Sequence, residues 1–422
     1  MRGHAYENLS FDPVYFSSIE IDHFRNLKKV ELSPSSGLNL FIGQNGQGKT
    51  NLLEALYLAM NGYSFRTHQV DSLVSLHQPE KISRIQLTLH NERQIYKLEV
   101  ILQGKTKKFR LNSKPISVRE LAKRIPSVLF APESLSAIKS GPEERRTLLD
   151  EIAQTHDPLH VDRLVDFLKT LRNRNALLRE IVKNGFQRSH QDILEILNAR
   201  FVDQSVDLVI SRLNGLQAIE PLASRVMSKI SNKTQQKTSM RYLISSQPFS
   251  SANSEEIRNA IGRRMSELRE AELAQGTTLA GPHRHDLQIL LDGMDSRQHC
   301  SQGQQRALIL AIKISQVMQH FDSYGRYPVL LLDDVLSELD AEKRAFLLGF
   351  LKSVKTQTFV TSTEGSDFKQ QLQEEEFKEL TTQVAHTYFA VHSGLIEKMS
   401  DEVVKEFAEN DVEFGNGRGT FV

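Results

Sequence analysis

The segment Gly43-Gln44-Asn45-Gly46-Gln47-Gly48-Lys49-Thr50 follows the apolar run Leu38-Asn39-Leu40-Phe41-Ile42 and precedes Asn51-Leu52-Leu53-Glu54-Ala55-Leu56. Strand, glycine loop and helix in that order are what a phosphate-binding loop demands. Gly43, Gly46 and Gly48 let the backbone turn tightly and aim successive N–H groups at one anion. The helix start adds its positive end, and Lys49 can reach the outer phosphates. Thr50 is placed to set its hydroxyl on Mg²⁺. The segment satisfies G-x-x-x-x-G-K-[ST] in full and carries an extra central glycine. A chance glycine-rich turn accounts for Gly43 and Gly46 but not for Lys49 and Thr50 in this context.

A second half-site lies near the other end. The run Tyr327-Pro328-Val329-Leu330-Leu331-Leu332-Asp333-Asp334 is an apolar strand ending in paired carboxylates. A central parallel strand buried on both faces needs such a continuous run, and nucleotide chemistry sits at its C-terminal edge. Asp333 can bind Mg²⁺ directly or through water, and Asp334 can orient or deprotonate an attacking water. A solvated turn or a helix cap is the alternative reading of the pair. Upstream, Ser301-Gln302-Gly303-Gln304-Gln305-Arg306 precedes an apolar helix, where Ser301 and Gly303 offer hydroxyl and amide donors to a phosphate. An ordinary polar cap explains that segment equally well, because the P-loop of the same chain already holds the nucleotide. Only a second subunit would bring another phosphate.

Taken in order, residues 1–14 read as a polar leader, and residues 15–21, 30–32 and 38–42 as a β-meander entering the P-loop. The P-loop helix stops near Gly62, a left-handed C-cap. Strands are expected over 82–89, 94–102, 107–111 and 128–130, and a helix over 143–152. From Leu159 the apolar spacing becomes three, four and seven, with a break around Asn184-Gly185. This predicts long helices in a separate, mostly helical insertion. A strand over 240–244 and a charged amphipathic helix over 254–274 follow, after which the core sheet is expected to resume at 287–291. The division predicted is an α/β head over 15–138 and 277–398, an arm over 139–276 and a flexible tail over 399–422.

Charge and cysteine usage narrow the setting. With 53 Lys plus Arg against 52 Asp plus Glu, the chain as a whole does not advertise a polyanion partner, so any nucleic-acid site must be local. Cys300 is the only cysteine, which excludes an intramolecular disulfide framework and fits a reducing compartment. No apolar run approaches membrane-spanning length, so a cytoplasmic protein with no membrane partner is expected. Cys300 reads as a structural or incidental thiol rather than a redox switch.

These motifs, in this order, resemble the RecF family of ABC-type P-loop ATPases, related to Rad50 and the SMC proteins. Phe24-Arg25-Asn26-Leu27 is similar to its N-F-R-N element, with His23 in place of the usual Asn. The P-loop fits G-x-N-G-x-G-K-T-N-L-L-E-A, with Asn45 and Asn51 both present. Ser64-Phe65-Arg66-Thr67, Phe130-Ala131-Pro132-Glu133, Glu144-Arg145-Arg146 with Leu148-Leu149-Asp150, and Leu171-Arg172-Asn173-Arg174-Asn175-Ala176-Leu177-Leu178 resemble further family elements. Gly281-Pro282-His283-Arg284 resembles the start of G-P-H-R-D-D-L, with His285 where an aspartate is usual. That departure reads as drift at a surface turn. Ser301 to Arg306 is similar to the signature motif, and Asp333-Asp334 continues into a D-loop, Ser337-Glu338-Leu339-Asp340.

The resemblance implies an ABC-type head with mixed β-sheets and an inserted helical arm. It implies Mg²⁺ and ATP bound by Gly43, Asn45, Gly46, Gly48, Lys49, Thr50, Asn51 and Arg25, with Thr50 and Asp333 on the metal. Lys49, Asp333 and Asp334 would carry out a slow, DNA-stimulated hydrolysis. Ser301 and Gly303 would reach the γ-phosphate held by the opposite subunit, making ATP the glue of a homodimer. Gln69 or Gln78 would fill the Q-loop role, and Thr361 and Ser362 stand where ABC transporters carry a switch histidine. The implied partners are double-stranded DNA near junctions with single-stranded DNA, RecR, RecO and RecA, on the nucleoid. Lys105, Lys107, Lys108, Arg172, Arg174 and Arg179 are the DNA-contact candidates. A Rad50- or SMC-like ATPase is the rival reading, although the span between Lys49 and Ser301 leaves room for an arm and not for a long coiled coil. A transporter ATPase fits less well, and an ATP-gated scaffold without a DNA role is the rival from another class.

Overall fold

The computed structural model describes residues 15–67, 69–75, 81–91, 94–135, 137–232, 236–363, 372 and 374–409. The chain divides into two units, one made of Met1–Glu133 with His320–Val422, the other of Ser134–Gln319. The first unit opens with the antiparallel pair β1 (Tyr15–Phe24) and β2 (Leu27–Leu32), then β3 (Leu38–Gly43) and α1 (Lys49–Asn61). β4 (Ile82–His90), β5 (Ile95–Gln103), β6 (Thr106–Leu111) and β7 (Lys114–Pro115) complete an antiparallel sheet ordered β2-β1-β4-β5-β6-β7. Its strands bury alternate residues, Ile19 and Ile21 on β1 against Ile85 and Leu87 on β4, as a sheet with one covered face requires. α2 (Val118–Arg124), β8 (Ser127–Phe130) and α3 (Pro132–Leu135) lead to the second unit.

That unit contains α4 (Pro142–His156), α5 (His160–Asn184), α6 (Arg188–Ile230), β9 (Thr238–Ile244), β10 (Gln247–Phe249), α7 (Ser254–Gln275), β11 (Asp286–Leu291), β12 (Met294–Asp295) and α8 (Ser296–His299). It also holds the start of α9 (Gln302–Tyr324), whose residues from His320 onward belong to the first unit. α5 stops at Gly185, whose φ of 80° suits only glycine, where the sequence predicted a break. β11 does not resume the head sheet, as the sequence suggested. It pairs antiparallel with β9, with Leu287 opposite Tyr242, in a four-stranded sheet ordered β10-β9-β11-β12. Residues 277–319, including the signature-like segment, therefore lie in the second unit and not in the head part predicted over 277–398.

Buried ion pairs tie this unit together. Arg212 donates through Nε and Nη2 to the two oxygens of Asp150 at 2.7 and 2.9 Å, and Arg145 does the same for Asp286 at 2.7 and 2.9 Å. Burial works against the Asp150 carboxylate, but Arg212 and His160 outweigh it and hold its pKa far below the usual range. His285 is buried, with Nδ1 2.7 Å from the Tyr242 hydroxyl. The surface-turn reading of that position is wrong: His285 fills a core site beside Arg212 and Arg146, where burial first, and then Arg212, depress its pKa.

The first unit resumes with β13 (Val329–Asp333), α10 (Ala341–Ser353), β14 (Thr358–Thr363), β15 (His386–His392) and β16 (Leu395–Met399). Here β3 leaves its sequence neighbours, correcting the predicted meander. It runs parallel between β14 and β15 in a second sheet ordered β16-β15-β3-β14-β13-β8. All six residues of β3 and all five of β13 are buried, which an edge of the antiparallel sheet would not allow. α1 is buried on nearly every side because its apolar residues join one core with Phe16, Ile21 and Leu87 of one sheet and Phe41, Leu331 and Phe359 of the other. The tail predicted to be flexible from 399 contains a helix, Asp401–Glu409, with Val404 buried. Among the described residues no helix is long and apolar enough to cross a membrane.

Candidate nucleotide site

The loop after β3 has the conformation its glycines permit. Gly46 has φ 80° and Gly48 φ 120°, and a Cβ on Gly43 would stand 2.1 Å from the Val391 carbonyl oxygen. α1 begins at Lys49 with no side-chain cap and no acid in its first turn, so nothing of its own competes for an anion there. Lys49 is buried, and its Nζ donates to the carbonyls of Gly43 at 2.5 Å and Gln44 at 2.8 Å. Asn45 is exposed in the loop.

Three hydroxyl and carboxylate groups converge beside it, within the same unit. Thr50 Oγ1 and Thr361 Oγ1 both donate to Asp333 Oδ1, at 3.0 and 2.7 Å. Thr361 Oγ1 in turn accepts from the Asp334 amide at 2.9 Å. β13 and β14 are parallel neighbours with Asp333 opposite Thr361, which is why the two side chains meet. Asp334 has φ 49°, an uncommon conformation for an L-residue that re-aims the side chain just after the strand. Its Oδ1 is buried and has no hydrogen-bond partner among the described residues, and burial raises its pKa above the usual aspartate value despite Ser337 and Lys49 nearby. A hydroxyl and a carboxylate already within 3.0 Å suit Mg²⁺, which takes one or two protein oxygens and completes its shell with phosphate and water. Among the described residues no group of three His, Cys, Asp or Glu could hold a metal unaided.

Around this core lies a network that the sequence did not announce. Glu54 is fully buried on α1 and takes both Nε and Nη2 of Arg25 at 2.7 Å, together with the Ser64 hydroxyl. Arg66 stands 3.6 Å from Glu54 and donates to Asn51 Oδ1 at 3.0 Å, while Asn51 Nδ2 donates to Asn26 Oδ1 at 2.7 Å. Arg25 and Asn51, expected at the nucleotide, are thus engaged in holding α1 and the turn before β2. The one available signal was a glutamate inside the apolar run Leu52-Leu53-Glu54-Ala55-Leu56, which demands a buried cation.

Other expected residues divide sharply. Ser301 forms a reciprocal cap with Gln304, its Oγ accepting from the Gln304 amide at 3.2 Å and its amide donating to Gln304 Oε1 at 2.8 Å. Ser301 stays exposed, Gly303 is half-buried, and Gln305 Nε2 is tied to the Ser296 carbonyl at 2.7 Å. Lys105, Lys108, Arg172 and Arg179 are exposed. Lys107 is half-buried and donates to the Gly62 carbonyl at 2.6 Å, and burial lowers its pKa. Arg174 is 3% exposed and donates to Asn198, Thr278 and Glu272 at 2.8, 2.8 and 2.6 Å, so it is a core residue and not a DNA contact. Arg174→Lys, which keeps the charge but loses the fork, lowers the unfolding free energy by about 1–3 kcal/mol, read from the urea midpoint. Gln69 is exposed, whereas Gln78 lies outside the described residues. Cys300 is half-buried, and burial first, then Asp292 and Asp295, push its thiol pKa up, away from reactivity.

Residues 15–387 match the family model described as RecF/RecN/SMC N terminal domain. The chain is similar to the DNA replication and repair protein RecF of Oceanobacillus iheyensis, 32% identical over 353 residues that cover 83% of this chain and 94% of that protein. It is 34% identical to the RecF of Thermoanaerobacter sp. strain X514 over 358 residues, 84% of this chain and 96% of that protein. A solved structure of the recombination mediator protein RecF with ATP, in the RecFOR pathway, matches with a TM-score of 0.79 at 31% identity, covering 93% of this chain and 100% of that one. The Smc head domain with a coiled coil and joint derived from Pyrococcus yayanosii matches at TM-score 0.53 and 14% identity, over 94% and 99%, which speaks for the fold alone.

Proposed function

The chain belongs to the RecF family of DNA replication and repair proteins, and from that premise we propose that it is a Mg²⁺-dependent ATPase of recombinational repair. The observation that carries the reading is the convergence of Thr50 and Thr361 on Asp333, with an Asp334 oxygen that has no partner among the described residues one residue on and the P-loop amides alongside. Lys49 and the loop amides hold the β- and γ-phosphates, and Thr50 and Asp333 hold the metal. Bound Mg²⁺ supplies charge neutralisation to the phosphate oxygens. Asp334 positions a water in line with the γ-phosphate and accepts its proton, giving ADP and phosphate.

ATP bound in this loop joins two copies head to head. The exposed Ser301 and the half-buried Gly303 of one copy contact the γ-phosphate held by the other, and slow hydrolysis releases the pair. The dimer assembles on double-stranded DNA near junctions with single-stranded DNA, through exposed cations such as Lys105, Lys108, Arg172 and Arg179. It acts in the cytoplasm, on the nucleoid, with RecR and RecO in loading RecA at gaps.

Light scattering with and without Mg-ATP and duplex DNA tests this reading. The mass doubles with Mg-ATP, and duplex DNA accelerates phosphate release; a monomer under saturating Mg-ATP rejects the dimer. Ser301→Arg binds Mg-ATP within about threefold of wild type, a change under about 1 kcal/mol, yet stays monomeric. Normal dimerisation of that variant removes Ser301 from the contact.

A further inference from the structure

We infer that the turn between β15 and β16, together with Asn26, aims the P-loop amides at the bound phosphates. The Gln47 carbonyl oxygen accepts from two donors, the Gly394 amide at 2.8 Å and Asn26 Nδ2 at 3.1 Å. Asn26 Nδ2 also reaches the Gly46 carbonyl at 3.5 Å. The Gln47 side chain points the same way, its Oε1 accepting from the Ser393 amide at 2.5 Å. Asn26 follows β1 of the antiparallel sheet, and Ser393 and Gly394 follow β15 of the mixed one. One carbonyl of the loop is therefore held from both sheets.

A trans peptide is planar, so its C=O and the next N–H point in opposite directions. Holding the Gln47 oxygen toward Asn26 and Gly394 turns the Gly48 N–H the other way, into the loop's concavity, where a phosphate oxygen would lie. Holding the Gly46 oxygen does the same, more weakly, for the Gln47 N–H. The approach is tight. A Cβ on Gly394, which has φ 79°, would stand 2.2 Å from the Asn26 carbonyl oxygen, so only glycine lets the turn sit there. Ser393 contributes only its amide, at φ 49°, so its side chain is dispensable. Asn26, Ser393 and Gly394 are positioning residues: they act through the loop backbone and touch no phosphate themselves.

This inference rests on the nucleotide reading of the P-loop, and titration with ADP separates the two. ADP lacks the γ-phosphate, so its affinity reports the loop without dimerisation. Calorimetry of the full-length chain gives wild-type ADP binding; no binding there rejects the nucleotide reading itself. Given that binding, Asn26→Ala and Gly394→Ala each weaken ADP about tenfold, the value of one oriented hydrogen bond. Ser393→Gly, which keeps the amide and suits the positive φ, binds as wild type does. At saturating Mg-ATP, Asn26→Ala hydrolyses at the wild-type rate, so the change sits in KM and not in kcat. Asn26 is exposed, so its variant keeps the fold if the glycine substitution does not. ADP affinity in Asn26→Ala within twofold of wild type, or an equal loss in Ser393→Gly, overturns the inference.

Discussion

Lys49→Met abolishes Mg-ATP-dependent self-association and weakens nucleotide binding by about ten- to a hundredfold, the worth of charge-assisted hydrogen bonds of about 1.5–3 kcal/mol. Met matches the buried stem of Lys49 in length and flexibility, so the loop and the start of α1 keep their packing. What disappears is the ammonium group, which the Gly43 and Gln44 carbonyls hold at the loop in readiness for phosphate. The same buried cation adjoins Asp334, where it opposes the effect of burial on that carboxylate. Light scattering under saturating Mg-ATP reads the outcome. A Lys49→Met protein that dimerises as wild type does would remove the nucleotide from the association altogether.

The parts of this site that could be read from the sequence are those whose cause is local. Gly46 and Gly48 adopt left-handed backbone because the loop turns within a few residues, and Gly62 caps α1 in the left-handed region for the same kind of reason. The paired carboxylates at the end of β13 were legible because an unbroken apolar run followed by acids has few other uses.

Partner choice across the chain was not legible. Nothing within the run 38–43 distinguishes an antiparallel neighbour in β2 from parallel neighbours in β14 and β15, because pairing is decided by distant strands. β11 chose β9 for the same reason. Arg172, Arg174 and Arg179 look alike in the sequence of α5. Only its distant partners Asn198, Glu272 and Thr278 show that Arg174 points inward. Arg25 likewise waited on Glu54. The signature-like segment is a mixed case: its cap is local and visible, while its group among the helices of the second unit depends on where β11 pairs.

Asp334→Asn separates binding from hydrolysis. The residue is fixed at its backbone, its amide held by Thr361 and its carbonyl accepting from Ser337 Oγ at 2.7 Å, so an amide side chain fits without moving the strand. The carboxylate that replaces water contacts with burial has a raised pKa, and one oxygen has no partner among the described residues, as a proton acceptor for a positioned water needs. Asparagine keeps an oxygen but cannot take the proton. Hydrolysis in the variant therefore falls by about 10²–10³-fold, while Mg-ATP still binds through Lys49, Thr50 and Asp333, and the ATP-joined dimer persists. The pH profile supplies an independent sign. Only the ionised form of Asp334 accepts a proton, so the wild-type rate declines as pH falls through its pKa, and burial places that decline above the ordinary aspartate range. The variant has no such limb. Single-turnover hydrolysis across the acid range checks both points: a rate within threefold of wild type, or an unchanged acid limb, assigns the proton to another group.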